Sequence, residues 1–270
     1  LSTIVVAVVY PFMLIWSMLG QPGDRKSAVL LLLGGIALYS GMIVFALLIS
    51  RLLKIPAERR SEFECLIVFA NTGFIGAPLA QSLFGSEAFY RITLLNFAYY
   101  IFYNTYAVLA LAPKDGEKHR LRARDILTPG FVMTVIAIVL YLLRADAPQG
   151  VKDFLYSIGS MTTPLSMLVL GASLAAYPFK TSIGDPWTYV CSAVKLLLLP
   201  ALVYGLCCLT DFGGYYQGLV MLTCAMPSGS MVLMLAYKLR RDTAFISRGV
   251  FVSTLLSAVT IPIVILLFLR

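Results

Sequence analysis

The stretch VFANTGFIGAPLAQ, residues 68–81, interrupts a long apolar segment of this chain with residues that disfavour a regular helix. Pro78 lacks a backbone N–H group and clashes with the preceding turn, while Gly73 and Gly76 tolerate backbone conformations that other residues avoid. The hydrocarbon core contains no water that could hydrogen-bond to unpaired backbone groups. Irregular backbone at membrane depth therefore persists only inside protein or around a wet cavity. The stretch therefore predicts a helix that is broken at a functional site.

The sequence around this break has the composition of an integral membrane protein. Of the 270 residues, 60% are hydrophobic and only 13% are charged, and the apolar residues form runs long enough to cross a hydrocarbon core roughly 30 Å thick. We predict an all-α polytopic membrane protein with nine membrane-spanning helices, at residues 1–19, 27–48, 62–84, 92–111, 127–143, 154–176, 187–209, 214–236 and 244–269.

The net charge of +8 is explained by basic residues at the ends of the runs, so we expect no nucleic acid partner. Thirteen Lys and Arg residues lie in the connections on one side of the predicted membrane and six lie on the other. Since cytoplasmic loops carry the excess of Lys and Arg, the first side is predicted to be cytoplasmic. The C-terminus is then extracellular or periplasmic.

The residue types of metalloenzymes and hydrolases are sparse. All five cysteines lie within apolar runs, which is typical of small buried hydrophobic residues and not of a disulfide framework or a metal site. His119, the only histidine, lies in a charged loop, and neither G-x-S-x-G nor H-E-x-x-H occurs. We expect no cofactor, no metal and no enzymatic activity.

Two pairs of similar segments indicate an internal duplication. VVYPFMLIWSML, residues 8–19, resembles MTTPLSMLVLGASL, residues 161–174, and SEAFYR, residues 86–91, resembles DTAFISR, residues 242–248, in the same order. The first pair lies five spans apart, and an odd separation means that the two copies cross the membrane in opposite directions. This predicts an inverted repeat, the arrangement common in secondary transporters.

The second copy contains a span before its Pro164 helix, whereas the first copy has none before the corresponding helix. We therefore expect a further helix before Leu1, an arrangement of five plus five helices and an extracellular N-terminus. The predicted organisation is a first repeat at residues 1–112, a cytoplasmic linker at residues 113–126 and a second repeat at residues 127–270.

A second break, CAMPSGSM, occurs at residues 224–231 in the run of the second repeat that corresponds to the first break. Matched broken helices in inverted halves indicate a binding site at the membrane midplane, and their half-helix N-termini suit an anion. The alternative is that Gly and Pro only kink these helices or let neighbours pack closely. The candidate binding residues are Asn71, Thr72, Gly73, Gly76, Pro78, Pro227, Ser228, Gly229 and Ser230.

Several motifs together resemble one transporter family. FANTGFIGAPLAQSLFG, TTPLSMLVLGASLA, KLLLLP, AMPSGS and FISRGVFVSTLLSAVTIPIVILL are similar, in order, to segments of the auxin efflux carrier family, whose bacterial members include malonate and malate permeases. The resemblance runs from about Leu1 to Leu269. It implies a ten-helix fold of the sodium/proton-antiporter type, with a scaffold bundle, a transport bundle containing two crossing broken helices, and a location in the bacterial inner membrane. A homodimer through the scaffold bundle follows by analogy.

The resemblance also assigns individual positions. Asn71 and Pro78 match the family pattern of the fourth helix, and Pro227 matches that of the ninth. Met231 stands where members often carry Asn. The hydroxyl groups of Ser228 and Ser230 are therefore the polar side chains left for the second crossover.

Lys195 is the ninth residue of its run, which places it about 12 Å from the nearer end. A lysine at that depth is costly and usually faces a cavity or an acidic partner. Lys195 is therefore a candidate fixed cation that attracts an anionic substrate or takes the place of a coupling ion. The alternative is that its long side chain extends to the headgroups.

Other polar residues within the runs have two interpretations each. Asn104 lies eight residues after Asn96, close to one helical face, and either lines the cavity or packs helices together. Thr162 and Thr163, beside Pro164, share this ambiguity. Arg91 and Arg248 are expected to anchor the membrane interfaces or to pair with Glu87 and Asp242, respectively.

These observations predict a secondary transporter of a small organic anion, a carboxylate or dicarboxylate. The first alternative is a sodium- or proton-coupled carrier of a neutral or sterol-like solute, against which stands the lack of Asp or Glu at the centre of any run. The second alternative is a membrane domain that senses a ligand without transporting it.

Overall fold

The computed structural model describes residues 8–21, 24–112, 129–162, 164–165, 168, 171–172, 184–209 and 214–268. The regular structure of this part is helical, as predicted, with one isolated bridge and no β-strand. Its α-helices, in chain order, are α1 (Tyr10–Met18), α2 (Arg25–Leu52), α3 (Arg60–Val68), α4 (Ala77–Phe84), α5 (Ser86–Leu95), α6 (Phe97–Phe102), α7 (Val108–Leu111), α8 (Pro129–Leu142), α9 (Gln149–Gly159), α10 (Pro186–Ala193), α11 (Leu199–Cys208), α12 (Gly214–Ala225), α13 (Ser230–Lys238) and α14 (Ala244–Phe268). Among the described residues, π-helical turns lie at Thr72–Gly76, Tyr103–Ala107 and Val194–Leu198.

Four described helical segments are long and apolar enough to cross a membrane: Arg25–Leu52, Glu87–Leu111, Pro186–Cys208 and Ala244–Leu267. The apolar helix Phe131–Leu142 is shorter. An integral membrane protein built from helices is thus confirmed, while the nine spans and the inverted repeat stay predictions. Leu1, Thr163, His119 and the linker at residues 113–126 lie outside the described residues.

Side-chain hydrogen bonds from neighbouring residues define where α2 and α10 begin. Asp24 precedes α2 and accepts hydrogen bonds from the backbone N–H groups of Lys26 (3.1 Å) and Ser27 (3.2 Å). The Ser27 hydroxyl and these N–H groups lower the pKa of Asp24 below its ordinary value. Asp185 caps α10 in the same way and accepts from the N–H group of Trp187 at 3.1 Å.

The chain divides into two compact units. Unit 1 comprises Leu1–Ala37, Gly73–Thr105 and Leu121–Ser173, and unit 2 comprises Leu38–Thr72, Tyr106–Arg120 and Leu174–Arg270. Each unit therefore draws segments from both of the predicted repeats.

Within unit 1, glycines allow helix backbones to touch. A Cβ atom at Gly159 of α9 would lie 2.8 Å from the Cα atom of Met13 in α1, and one at Gly35 of α2 would lie 2.0 Å from the carbonyl oxygen of Leu95 at the end of α5. Real Cβ atoms do not approach other atoms this closely, so both positions exclude any larger residue unless a helix moves.

Unit 2 contains an ion-pair cluster at Asp185. Arg59 lies 2.6 Å from the Asp185 carboxylate, and Arg248 of α14 lies 4.0 Å from it. The guanidinium of Arg59 also lies over the ring of Phe245, 5.6 Å from its centre. The expected pairing of Arg248 with Asp242 is therefore wrong, because the carboxylate nearest Arg248 caps a different helix.

Long apolar side chains project outward from α2. Leu33 is 60% exposed and Leu48 is 62% exposed, although both are aliphatic. A soluble protein rarely exposes apolar surface along a whole helix, whereas a lipid-facing helix does so at no cost. This surface is consistent with an integral membrane protein.

Candidate functional site

The first predicted break begins where α3 ends at Val68. Phe69 has extended backbone (φ −93°, ψ 90°), and the π-helical turn Thr72–Gly76 then leads into α4, whose first turn contains Pro78. Proline favours the first turn of a helix because its missing N–H group has no intrahelical acceptor there. The sequence therefore stops one helix and starts the next within a few residues.

The second break has a similar construction in unit 2. Helix α12 ends at Ala225, Gly229 is extended (φ −79°, ψ 137°), and α13 begins at Ser230. Pro227 lies between the two helices, where it cannot continue α12. Both breaks predicted from the sequence are thus present as gaps between helices.

The two breaks are paired with each other within unit 2. The N–H group of Asn71 donates to the Pro227 carbonyl at 2.7 Å, and the N–H group of Gly229 donates to the Phe69 carbonyl at 2.8 Å, which makes an antiparallel bridge centred on Ala70 and Ser228. A broken helix beside a cavity would leave its freed backbone groups facing that cavity. For these four groups that expectation is wrong, because each break provides the hydrogen-bond partners of the other.

Ser228 links this bridge to two more helices of unit 2. Its hydroxyl donates to the Leu66 carbonyl of α3 at 2.8 Å, and its N–H group donates to the Ser253 hydroxyl oxygen of α14 at 3.2 Å. Ser228 is 1% exposed. Its single hydroxyl proton is therefore engaged inside the protein, which leaves only the oxygen lone pairs to accept from a ligand.

Gly229 brings the two breaks to their short separation. A Cβ atom there would lie 3.0 Å from the Ala70 carbonyl oxygen and 3.1 Å from that of Phe69. Its φ and ψ angles suit any residue, so the close approach of backbone, and not the conformation, requires glycine.

Lys195 is wholly buried in unit 2, and its amine has no hydrogen-bond partner among the described residues. It lies in the π-helical turn Val194–Leu198, which packs against α12, the helix that leads into the second break. Because the amine does not reach the surface, the extension of Lys195 to the headgroups is not what the structure describes. A buried amine without a partner is costly, so this position calls for a compensating negative charge.

The remaining predicted binding residues divide between the units. Thr72 and Ser230 lie in unit 2 with Asn71, whereas Gly73, Gly76, Pro78 and Asn104 lie in unit 1. The Asn104 amide donates to the Tyr100 carbonyl of its own helix at 2.9 Å, and its side chain is 1% exposed as part of the π-helical turn Tyr103–Ala107. One of its two amide protons is thus used locally.

The structure also describes Asn96, Thr162 and Arg91, three polar residues within or beside the predicted spans. Asn96 lies between α5 and α6 within the helical segment Glu87–Leu111 and is buried, as Asn104 is. Thr162 is buried, and its hydroxyl has no partner in the described part of the chain. Arg91 pairs with Glu87 at 2.9 Å, as expected.

The burial of Glu64 was not predicted from the sequence. Glu64 of α3 is 5% exposed and accepts hydrogen bonds from the Ser50 hydroxyl at 2.6 Å and the Tyr106 hydroxyl at 3.1 Å, all within unit 2. Because Glu64 lies near the start of the predicted span at residues 62–84, its place in the sequence resembled that of a residue at the lipid headgroups. The available signal was a glutamate flanked by Phe63 and Cys65 in an otherwise apolar segment.

Comparison with known proteins decides the family. A family model described as a membrane transport protein matches residues 1–265. This chain belongs to that family. The resemblance to auxin efflux carriers is thereby confirmed.

Two archaeal relatives of this membrane transport protein are called uncharacterized transporters. The protein from Methanothermobacter thermautotrophicus is 25% identical over 194 residues, which cover 72% of this chain and 63% of the relative. The protein from Methanocaldococcus jannaschii is 25% identical over 235 residues, which cover 84% of this chain and 74% of the relative. The chain thus spans less than two thirds of the first relative.

Proposed function

We propose that this membrane transport protein is a secondary transporter that moves a small organic anion, a carboxylate or dicarboxylate, across the bacterial plasma membrane by alternating access. In this proposal the fold is an inverted repeat of the sodium/proton-antiporter type, and the two paired breaks are its crossing broken helices. The proposal rests on membership of the family together with the paired breaks and the buried cation.

The observation that favours an anion is Lys195. Its amine is buried in the unit that holds the paired breaks and has no hydrogen-bond partner among the described residues, and its π-helical turn packs against α12, the helix that leads into the second break. A carboxylate that reached this amine during the transport cycle would offset the cost of burying both charges. Asn71, Thr72 and Ser230 would then supply polar contacts to the substrate beside the bridge.

The test is thermal stabilisation of the purified protein by a panel of malonate, malate, indole acids and neutral analogues. A ligand that binds only the folded state adds about 2.7 kcal/mol at 100 times its dissociation constant, which is enough to shift a melting curve. The variants are Lys195→Ala and Lys195→Met, with Lys54→Ala as a matched control because Lys54 is exposed. Proteoliposome uptake of any stabilising acid follows.

An acid that stabilises the wild type and the control, but neither Lys195 variant, supports the proposal if it is also taken up. An acid that stabilises all four proteins equally removes Lys195 from the site. Binding without uptake favours a sensor of ligand.

A second candidate function is a cation-coupled carrier of a neutral solute, which the buried carboxylate of Glu64 favours. This function requires a neutral member of the panel to stabilise the protein, and to do so more strongly in sodium than in choline. No response to any carboxylate, with such a response to a neutral solute, would replace the anion proposal.

A further inference from the structure

We propose that the Glu64 carboxylate, the Ser50 hydroxyl and the Leu47 carbonyl of unit 2 form a binding site for a sodium ion. These three groups bring the last turns of α2 into contact with α3. Sodium binding itself is independent of the proposed function, whereas its use as a coupling ion rests on that function.

The charge of Glu64 favours a bound cation. The side chain of Glu64 is buried, and in the described part of the chain neither Lys nor Arg lies within ion-pair distance of it. Glu62, two residues earlier, differs because Arg241 lies 3.8 Å from its carboxylate. A buried carboxylate supported only by neutral hydroxyls lacks the cation that usually balances such a charge.

The oxygens around Glu64 have few protons to share. The Ser50 oxygen lies 2.6 Å from one Glu64 oxygen and 3.1 Å from the Leu47 carbonyl oxygen, but a hydroxyl has a single proton to donate. With Glu64 ionised, one of the two contacts therefore brings together oxygen lone pairs without a hydrogen between them. A cation placed against these three groups removes that conflict.

The chemistry of these oxygen atoms also suits a sodium ion. A carboxylate, a hydroxyl and a backbone carbonyl are hard oxygen ligands, the kind that small hard cations prefer and that transporters use for sodium. The hydroxyl of Tyr106 donates to the other Glu64 oxygen at 3.1 Å and holds the carboxylate in place. Ser50 is wholly buried, so the site excludes the bulk water that would compete for the ion.

The site lies on the helix that leads into the first break, so a bound ion can affect the position of that break. Helix α3 carries Glu64 at its centre and ends at Val68, immediately before the residues that pair with the second break. An ion that ties α2 to α3 fixes the position from which the first break departs. This is the physical route by which sodium would couple to the binding site.

The experiment measures sodium binding in the purified protein without any substrate. Melting temperatures are recorded in sodium chloride and in choline chloride of equal ionic strength, and radioactive sodium binding is measured directly. We expect saturating sodium to raise the melting temperature of the wild type by about 5 °C and choline to have no such effect. Lithium and potassium chloride report the selectivity of the site.

The variants separate a ligand from a structural residue. Glu64→Gln keeps the size of the side chain and its hydrogen bonds but is expected to abolish both the stabilisation and the binding of sodium. Ser50→Ala is expected to weaken sodium binding by about tenfold or more. Glu62→Gln, which is buried, and Glu58→Gln, which is exposed, serve as controls and should bind sodium like the wild type.

Direct binding keeps the test decisive even if Glu64→Gln melts at a lower temperature, because the folded fraction is still assayed. Equal sodium binding by the wild type and Glu64→Gln would overturn the proposal. So would a wild type that responds to pH but not to sodium, because the carboxylate would then hold a proton. If the wild type binds sodium but no organic anion stabilises the protein, the proposed substrate is refuted and the sodium site stands.

Discussion

Replacing Gly229 with alanine tests whether the pairing of the two breaks holds unit 2 together. The new methyl group would lie 3.0 Å from the Ala70 carbonyl oxygen and 3.1 Å from that of Phe69. Ordinary contacts begin at about 3.4 Å, so the extended segments must separate by a few tenths of an ångström. The backbone angles of Gly229 suit alanine, so the substitution adds a contact and little strain of conformation.

The cost follows from the hydrogen bonds that this separation lengthens. The bonds from Gly229 to Phe69 (2.8 Å) and from Asn71 to Pro227 (2.7 Å) are buried, and a buried hydrogen bond contributes about 1 kcal/mol net. Weakening both, together with the overpacking, predicts a loss of about 2 kcal/mol in the free energy of unfolding. For a chain of this size that lowers the melting temperature by about 4–8 °C.

The assay is the melting temperature of the purified variant, compared with Gly205→Ala as a matched control. Gly205 lies on the exposed side of α11, and a Cβ atom there meets nothing within 4 Å. The control should be neutral or slightly stabilising, because alanine favours a helix more than glycine does. A melting temperature of Gly229→Ala equal to that of the control would refute the inference that close backbone pairing joins the breaks.

Three further predictions follow from single contacts. Ser228→Ala removes the hydroxyl that bonds the α3 carbonyl and should lower the free energy of unfolding by about 1–2 kcal/mol, measured by thermal melting against Ser82→Ala, whose hydroxyl is exposed. Gly35→Ala should cost about 3 kcal/mol or prevent folding, whereas Gly34→Ala, which meets nothing within 4 Å, should be tolerated; equal yields of folded protein would contradict this close packing. The pKa of Asp24 is lowered, so its charged cap is complete above the ordinary pKa of 3.8 and is lost as the pH falls through the lowered pKa. Amide exchange at the start of α2 should therefore accelerate at that pH in the wild type relative to Asp24→Asn. Parallel exchange profiles of the two proteins would refute the cap.

The positions of the breaks followed from local chemistry, but their partners did not. Gly and Pro at residues 73–78 and 227–229 mark where a helix cannot continue, whatever surrounds it. The hydrogen bonds between Asn71 and Pro227 join residues far apart in the chain, and no local pattern specifies such a pair. The expectation that freed backbone groups would face a ligand failed for the four paired groups for this reason.

The ionisable residues illustrate the same limit. The depth of Lys195 was predicted from its position in an apolar run, but its complete burial depends on the helices packed around it. Glu64 was overlooked because distance from the end of a run was used as the measure of exposure. Its burial arises from the neighbouring α2 and the turn that carries Tyr106, which hydropathy along one helix does not report.

The sequence by itself determined that this protein is a helical membrane protein of a transporter family, where two of its helices break and which lysine lies deep within a span. Those properties depend on hydrophobicity, on proline and glycine geometry and on motif order, all of which are local or compositional. Only the tertiary structure decided that the breaks satisfy each other, that Gly229 permits their approach and that Glu64 is buried with two hydroxyls. These depend on which distant segments meet, because hydrogen bonds and burial are properties of neighbours in space.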